Sequence, residues 1–221
     1  MRTRHALCLL AVLATPAPAF ANSNPGSTGI VCGGCTGGSN STTPACISLV
    51  GSSGGVAATS GAFVVVVRDL ANNPVAGATV VIDLSAAPDL SICADQLDAA
   101  ATVDCAHKTV AKTTALDGSV HFTVLGGSNG GGNAVTLLGG GKIFANGTLL
   151  QTPTVSAYDL DGSGGVGAND LSAWLGDFGS GNPFGRSDYD CSGGIGANDL
   201  SLWLNAFGSG TMATSCGASC P

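Results

Sequence analysis

The 221-residue chain contains no glutamate, so all fourteen of its acidic side chains are aspartates. Basic residues are also scarce: seven Lys and Arg leave a formal net charge of −7 at pH 7. A surface that binds nucleic acid must neutralise phosphates with basic side chains, so the composition argues against a nucleic acid partner. Aspartate is short and frequent in turns and metal-binding loops, and its exclusive use favours a chain that contains such loops.

Long apolar runs are missing too, and the run near the N-terminus, residues 6–13, is too short to span a bilayer. Two arginines precede it, and Ala19 and Ala21 supply small residues at the positions that a signal peptidase recognises. This order predicts a bacterial secretory signal, residues 1–21, cleaved after Ala21. We expect the mature protein to be secreted, extracellular or held at the cell surface, without a membrane span.

One of the nine cysteines lies within the predicted signal, which leaves eight in the mature chain. An even number of cysteines in an exported chain indicates disulfides. Cys93 and Cys105 lie in one segment, and we predict that they are bonded to each other. The remaining connectivity stays open. Cys32 and Cys35 have the spacing of a redox pair, but they lie in a Gly/Ser/Thr-rich stretch without the βαβ context that such a site requires.

Short β-branched segments separated by turn residues occupy residues 44–157, after a Gly/Ser/Thr-rich stretch, residues 22–43, that we predict to be a flexible leader. The pair Asn146-Gly147 is the strongest hairpin signal. Several short strands at this spacing predict an antiparallel β-sandwich. The predicted strands are residues 46–50, 62–68, 78–84, 119–125, 134–138, 142–145, 148–150 and 155–158.

Two stretches of this segment carry a family resemblance. They are VVVVRDLANNPVAGATVVIDLS, residues 64–85, and TTALDGSVHFTV, residues 113–124. Their order of strand, N-x-P-V-x-G-A turn, strand and later D-G-x-V-x-F strand resembles bacterial Ig-like domains of the invasin type. The resemblance implies an Ig-like β-sandwich that acts as a spacer or adhesive module.

The last third of the chain contains an internal repeat of 23 residues. DLDGSGGVGANDLSAWLGDFGSG begins at Asp159, and DYDCSGGIGANDLSLWLNAFGSG begins at Asp188. Each copy opens with a twelve-residue loop whose oxygen-bearing residues fall at positions 1, 3, 5 and 12, with glycine at position 6 for the sharp turn. Calcium takes six to eight oxygen ligands from loops of this pattern, including a backbone carbonyl at position 7. The predicted ligands of two calcium ions are Asp159, Asp161, Ser163, Gly165 and Asp170 in the first loop and Asp188, Asp190, Ser192, Gly194 and Asp199 in the second.

Each loop runs into a predicted amphipathic helix with apolar residues at i, i+3, i+4 and i+7. These stripes are expected to face each other, and they comprise Leu171, Trp174, Leu175 and Phe178 in the first helix and Leu200, Trp203, Leu204 and Phe207 in the second. No helix is predicted before either loop, which distinguishes the repeat from a full EF-hand.

A duplicated loop and helix of this kind resembles the type I dockerin domain, here over residues 158–221. The resemblance implies a small α-helical calcium-binding domain and a cohesin-like partner domain. The positions that match cohesin-contacting residues are Ala168, Asn169, Ser172, Ala197, Asn198 and Ser201.

Together these features predict a secreted calcium-binding protein for protein–protein assembly or cell-surface attachment. By the resemblance, its setting is the polysaccharide-degrading complexes that dockerins assemble. Two alternatives remain open. In the first, the chain is an adhesin or structural surface protein whose repeat is a C-terminal cap. In the second, it is a glycoside hydrolase or an accessory of one.

We expect the mature chain not to be an enzyme and not to hydrolyse plant or microbial polysaccharides. A glycosidase needs two carboxylates across a cleft, whereas the aspartates of the β-segment fall mostly at turns and no nucleophile motif accompanies them. A hydrolysis screen checks this. Turnover that survives repurification and disappears when one aspartate of the β-segment is changed would contradict it.

Overall fold

The computed structural model describes residues 29–32, 46–53, 56–69, 73–128, 140–180, 185–208 and 219–220. The predicted signal, residues 1–21, and the predicted strand at 134–138 lie outside these residues, and both stay predictions. In the described part of the chain, no helix is long and apolar enough to cross a membrane.

The described residues form mainly β-structure, followed by two α-helices near the C-terminal end. The helices are α1 (Ala168–Ser180) and α2 (Ala197–Gly208), and a 3-10 turn, Gly185–Ser187, lies between them. The strands are β1 (Gly29–Cys32), β2 (Cys46–Leu49), β3 (Ser52–Ser53), β4 (Val56–Ala57), β5 (Ala62–Val66), β6 (Thr79–Asp83), β7 (Leu90–Cys93), β8 (Thr102–Asp104), β9 (Thr109–Thr113), β10 (Ser119–Thr123), β11 (Gly126–Ser128), β12 (Lys142–Ala145), β13 (Thr148–Gln151), β14 (Thr154–Ala157) and β15 (Ser219–Cys220).

Most strand pairs are antiparallel, as the sequence predicts. The largest sheet has the order β13-β12-β6-β9-β8, and two three-stranded sheets have the orders β1-β5-β10 and β11-β7-β15. Strands β3 and β4 form a separate antiparallel pair. One pair departs from the prediction: β14 lies parallel to β2, with Thr154 opposite Cys46. This pair joins the start of the β-segment to the residues that lead into the first loop of the repeat.

Two local predictions have different outcomes. The hairpin at Asn146-Gly147 is confirmed: it connects β12 to β13, and its two turn residues have φ of 47° and 80°. Positive φ at both positions is what a type I′ turn requires. By contrast, part of the predicted flexible leader is a strand, because β1 pairs antiparallel with β5.

The first core is formed by buried apolar side chains of the strands. Its composition follows from the alternation of side chains between the two faces of each strand. In β5, Phe63 and Val65 are buried while their neighbours are partly exposed, and in β6 the buried residues are Val80 and Ile82. The ring of Phe63 stacks on that of Phe122 in β10 at 5.5 Å.

A second core draws on both segments of the chain. Trp174 and Trp203 from the two helices are buried in one cluster with Val50, Ala58 and Leu125 from the β-segment. Apolar packing therefore crosses the predicted domain boundary between residues 157 and 158. That boundary stays a prediction.

The predicted disulfide between Cys93 and Cys105 is wrong. Cys105 is bonded to Cys220, and Cys93 is disulfide-bonded elsewhere. In the ladder between β15 and β7, Cys220 lies opposite Ile92 while Cys93 lies opposite Ser219. Because neighbouring residues in a strand point to opposite faces, Cys220 and Cys93 face opposite ways, and Cys105 lies on the face of Cys220. Another disulfide joins Cys46 to Cys191.

A buried ion pair fixes the segment between the helices. Asp177 in α1 accepts hydrogen bonds from Arg186 Nε at 2.7 Å and Arg186 Nη2 at 2.5 Å, and from Ser187 Oγ at 2.6 Å. Asp177 and Ser187 are buried. The residue at the same position of the second repeat is Ala206, so the pair occurs in one repeat only.

Replacing Asp177 by alanine should lower the free energy of unfolding by about 3 kcal/mol, because it leaves the guanidinium of Arg186 without its carboxylate. The double change Asp177→Ala with Arg186→Met should lower it by much less, since no unpaired charge remains. Denaturant titration followed by tryptophan fluorescence measures both. Equal losses in the two variants would show that the unpaired charge is not the cause.

Candidate metal centre

The structure brings the predicted carboxylates of each loop together. In the first loop, Asp159, Asp161 and Asp170 each offer one oxygen, and these oxygens lie within 4.8 Å of one another. The aspartates of the second loop, Asp188, Asp190 and Asp199, are arranged in the same way. Two clusters thus occur among the described residues, one at the start of each helix, and their role as calcium ligands stays a prediction.

The aspartate at position 12 closes the first loop. Asp170 Oδ1 accepts hydrogen bonds from the backbone N–H groups of Leu160 at 2.6 Å and Asp161 at 2.9 Å, and Oδ2 accepts one from Gly167 at 2.7 Å. Leu160 and Asp161 begin the loop, and Gly167 directly precedes α1. One buried side chain therefore holds both ends of the loop, and its negative charge lies at the favourable end of the helix dipole.

The second loop repeats this network. Asp199 Oδ1 accepts from Tyr189 N at 2.7 Å and Asp190 N at 3.0 Å, and Oδ2 accepts from Gly196 N at 2.8 Å. The same three loop positions donate in both copies, so the geometry follows from the repeated sequence.

The aspartate at position 1 folds the middle of each loop inward. Asp159 accepts from Ser163 N at 3.1 Å and Gly164 N at 2.8 Å, and Asp188 accepts from Ser192 N at 3.0 Å and Gly193 N at 2.9 Å. The glycines at position 6 have φ of 90° and 85°, a region that L side chains rarely adopt. This explains the glycine at that position in both copies.

Burial and crowding raise the pKa of the carboxyl groups at position 1. Desolvation, and after it the charge of Asp170, raises the pKa of Asp159 to about 7. Desolvation raises the pKa of Asp188 to about 6, with repulsion from Asp199 adding to it. The pKa values of Asp170 and Asp199 are also raised, chiefly by burial. The charged form of these carboxyl groups is thus disfavoured at both sites, and a bound cation would favour it.

The remaining predicted ligands lie beside each other in each loop. Ser163 Oγ lies 3.5 Å from the carbonyl oxygen of Gly165, and Ser192 Oγ lies 3.2 Å from that of Gly194. Each loop therefore offers only carboxylate, hydroxyl and carbonyl oxygens. Hard cations such as calcium and magnesium bind oxygen donors of this kind, so the residues present fit such an ion.

The predicted apolar stripes are only partly buried. Trp174 and Trp203 are buried, whereas Leu175, Phe178, Leu204 and Phe207 are exposed. The buried face of α1 consists instead of Asp170, Trp174 and Asp177. The position-12 aspartate must point into its loop, and this sets the rotation of the helix about its axis. The apolar residues one position further along the chain consequently turn outward.

Asn169 and Asn198, which the sequence predicts as partner contacts, also belong to the loops. Each lies close enough to the position-3 aspartate, Asp161 or Asp190, to help the position-5 serine lower the pKa of that carboxyl group. Each asparagine directly precedes the position-12 aspartate of its loop. An Asn-Asp pair at the start of a helix is therefore the sequence signal for this second role.

A second grouping of polar side chains lines a cleft of about 310 Å³ between β9, β10 and the turn at Gln96. Lys112 Nζ lies 2.6 Å from Asp98 Oδ2, donates to the carbonyl oxygen of His121 and lies over the ring of Phe122. Its charge is thus compensated within the fold, which favours a structural role.

Comparisons of the chain with models of protein families, with curated proteins and with solved structures find no match.

Without metal, Asp170→Ala should lower the free energy of unfolding by about 3 kcal/mol, because it leaves buried backbone N–H groups of the loop without an acceptor. Asp161→Asn should change it by less than about 1 kcal/mol, since an amide keeps an oxygen for the Ser163 N–H. Denaturant titration in the presence of a chelator measures both. Equal effects would contradict the closing role of position 12.

Proposed function

We propose that this chain is an exported calcium-binding protein of the dockerin kind, in which two calcium-loaded loops support a protein-docking surface. The observation that carries the proposal is the pair of matching carboxylate clusters, each closed by a position-12 aspartate in the first turn of a helix. Acidic turns are common on protein surfaces. Two copies with the same hydrogen-bond network, each at the start of a helix, are better explained by a shared ligand.

Calcium fits these loops better than magnesium. Calcium accepts six to eight oxygens in flexible geometry, whereas magnesium demands a near-ideal octahedron and keeps several waters. Each loop supplies three carboxylates, a hydroxyl and a carbonyl, and its glycines permit adjustment. Asp170 and Asp199 are each one methylene shorter than the glutamate common at position 12, so water is expected to complete the coordination.

Exposed apolar residues on the two helices support the docking role. Leu175, Phe178, Leu204 and Phe207 are 51%, 53%, 50% and 38% exposed. They occupy equivalent positions in the two repeats, so they form a duplicated apolar feature rather than scattered side chains. Exposed apolar groups beside polar residues are typical of protein–protein interaction sites. A cohesin-like domain is the proposed partner, within a polysaccharide-degrading complex.

The β-segment is proposed to be an Ig-like spacer or adhesive module. The two turns that carry the resemblance lie against each other: Val67 N donates to the carbonyl of Gly118 at 2.8 Å, and Val75 N donates to that of Val67 at 2.9 Å. The disulfides support export, because such bonds persist in oxidising compartments.

A second candidate is an adhesin or structural surface protein whose repeat caps the β-segment. The second core favours this alternative, since Trp174 and Trp203 pack in one cluster with Val50, Ala58 and Leu125. Calcium binding is expected in both cases, so partner binding separates them.

The mature chain should bind two calcium ions. Asp159→Ala and Asp188→Ala should each leave one, and the double variant should bind none, because each change removes the position-1 carboxylate of one loop. Isothermal titration calorimetry counts the sites. At a hundredfold excess over Kd, calcium should raise the free energy of unfolding by about 2.7 kcal/mol per site.

Asp117→Asn, in the exposed turn before β10, is the matched control and should keep both sites. If the unaltered chain binds no calcium up to millimolar concentrations, the two clusters are structural turns and the proposed function fails.

Leu175→Ser with Leu204→Ser should weaken capture of the calcium-loaded chain by an immobilised cohesin domain at least about tenfold, since about half of each side chain is available for contact. Leu116→Ser removes a leucine that is 91% exposed on the β-segment and should have no effect. Failure of the unaltered chain to bind any cohesin domain would favour the cap alternative.

A further inference from the structure

One residue of the second loop is covalently fixed, whereas its counterpart in the first loop is not. Cys191 is position 4 of the second loop, between Asp190 and Ser192, and it is bonded to Cys46 in β2. The equivalent residue of the first loop is Gly162. The crosslink therefore enters one of two loops whose proposed ligands match, directly between two of those ligands.

The backbone at this position has positive φ in both loops, 58° at Cys191 and 70° at Gly162. Glycine adopts this conformation readily, whereas a residue with a side chain does so at an energetic cost. Cysteine here thus needs a compensating interaction, and the disulfide supplies it by tying the loop to a strand that is buried throughout.

Further contacts attach the same loop to the β-segment. Tyr189, position 2 of the loop, stacks on Tyr158 at 4.4 Å between ring centroids. Its hydroxyl donates to the carbonyl of Ala157 at the end of β14, at 3.3 Å. Since β14 pairs with β2, the disulfide and the tyrosine contacts reach the same two-stranded unit. The second loop is therefore held at positions 2 and 4.

We propose that the Cys46–Cys191 disulfide positions the middle of the second loop for metal, so that the residues around position 4 are ordered before the ion arrives. The first loop contacts the β-segment at positions 1 and 2, and its middle is ordered by the ion. This inference rests on the proposed calcium function and assigns a role to two residues outside the ligand set. Ordering a residue's backbone is unfavourable in free energy. In a loop that is already held, the backbone is ordered during folding. More of the favourable free energy of the ion–oxygen contacts then contributes to the affinity for the ion.

Hydrogen exchange in the unaltered, metal-free chain tests the inference without any substitution. The amides of Ser192 and Gly193 donate to Asp188, and those of Ser163 and Gly164 make the same bonds to Asp159. The bonds of the second loop are the more exposed set, so exposure alone predicts faster exchange there. We expect slower exchange in the second loop by at least about tenfold, the effect of one residue held in place. Equal or faster exchange there would overturn the proposal.

Calcium titration of two disulfide variants tests the effect on affinity. In a chain whose first loop is disabled by Asp159→Ala, both Cys46→Ser/Cys191→Ser and Cys46→Ser/Cys191→Gly should raise the Kd of the second site at least about tenfold. The glycine variant reproduces the first loop's residue. If it binds as tightly as the disulfide-bonded chain while the serine variant does not, backbone strain explains the loss and the crosslink has no positioning role.

Two controls isolate the effect. In a chain carrying Asp188→Ala, the same cysteine changes should shift the Kd of the first site by less than about twofold, and a larger shift would indicate a general loss of structure. Cys105→Ser/Cys220→Ser removes a disulfide that spans 115 residues, against 145 for Cys46–Cys191, and should leave the second site unchanged.

Calcium binding that persists unaltered in the Cys46–Cys191 variants overturns this inference and leaves the proposed function standing. Absence of calcium binding in the unaltered chain defeats the proposed function, and the exchange comparison still tests the ordering of the loops.

Discussion

The last third of this structure depends on one repeated interaction, in which three backbone N–H groups donate hydrogen bonds to the carboxylate at position 12 of each loop. Asp170 and Asp199 each join the beginning of a loop to the first turn of a helix. Because that side chain must face the loop, it fixes the rotation of the helix. Rotation then decides which residues are buried: the tryptophans enter the core, and the leucines and phenylalanines that follow remain exposed.

The same arrangement concentrates negative charge where water is largely excluded. Two of the carboxylates, Asp170 and Asp199, are almost completely buried, and burial raises the pKa values of both. Backbone N–H groups compensate part of this charge. The fold tolerates the rest because both loops are anchored from outside, through the stacked tyrosines, the shared apolar core and the disulfide from β2. A hard cation completes the compensation in the proposed function.

Features governed by neighbouring residues along the chain could be predicted from the sequence. The Asn146-Gly147 hairpin follows from backbone preferences of two residues, the β5 and β6 strands from β-branched runs, and the aspartate clusters from a spacing that is repeated twice. Features set by long-range packing could not. The disulfide partner of Cys105 depends on which cysteine of the sheet formed by β7 and β15 lies on the same face as Cys105. Strand β14 pairs with a strand more than a hundred residues earlier in the chain. Hydrophobic periodicity places the exposed Leu175 and Leu204 in a buried stripe, because it carries no information about a carboxylate that must face its loop.

The most direct test of the account is a crystal structure of the mature chain grown with calcium, examined by anomalous diffraction for the positions of bound ions. The account predicts one calcium in each aspartate cluster, with metal–oxygen distances of about 2.3–2.6 Å to the carboxylates and to the carbonyl oxygens of Gly165 and Gly194. Clusters that contain only water or protonated carboxyl groups at saturating calcium would contradict it.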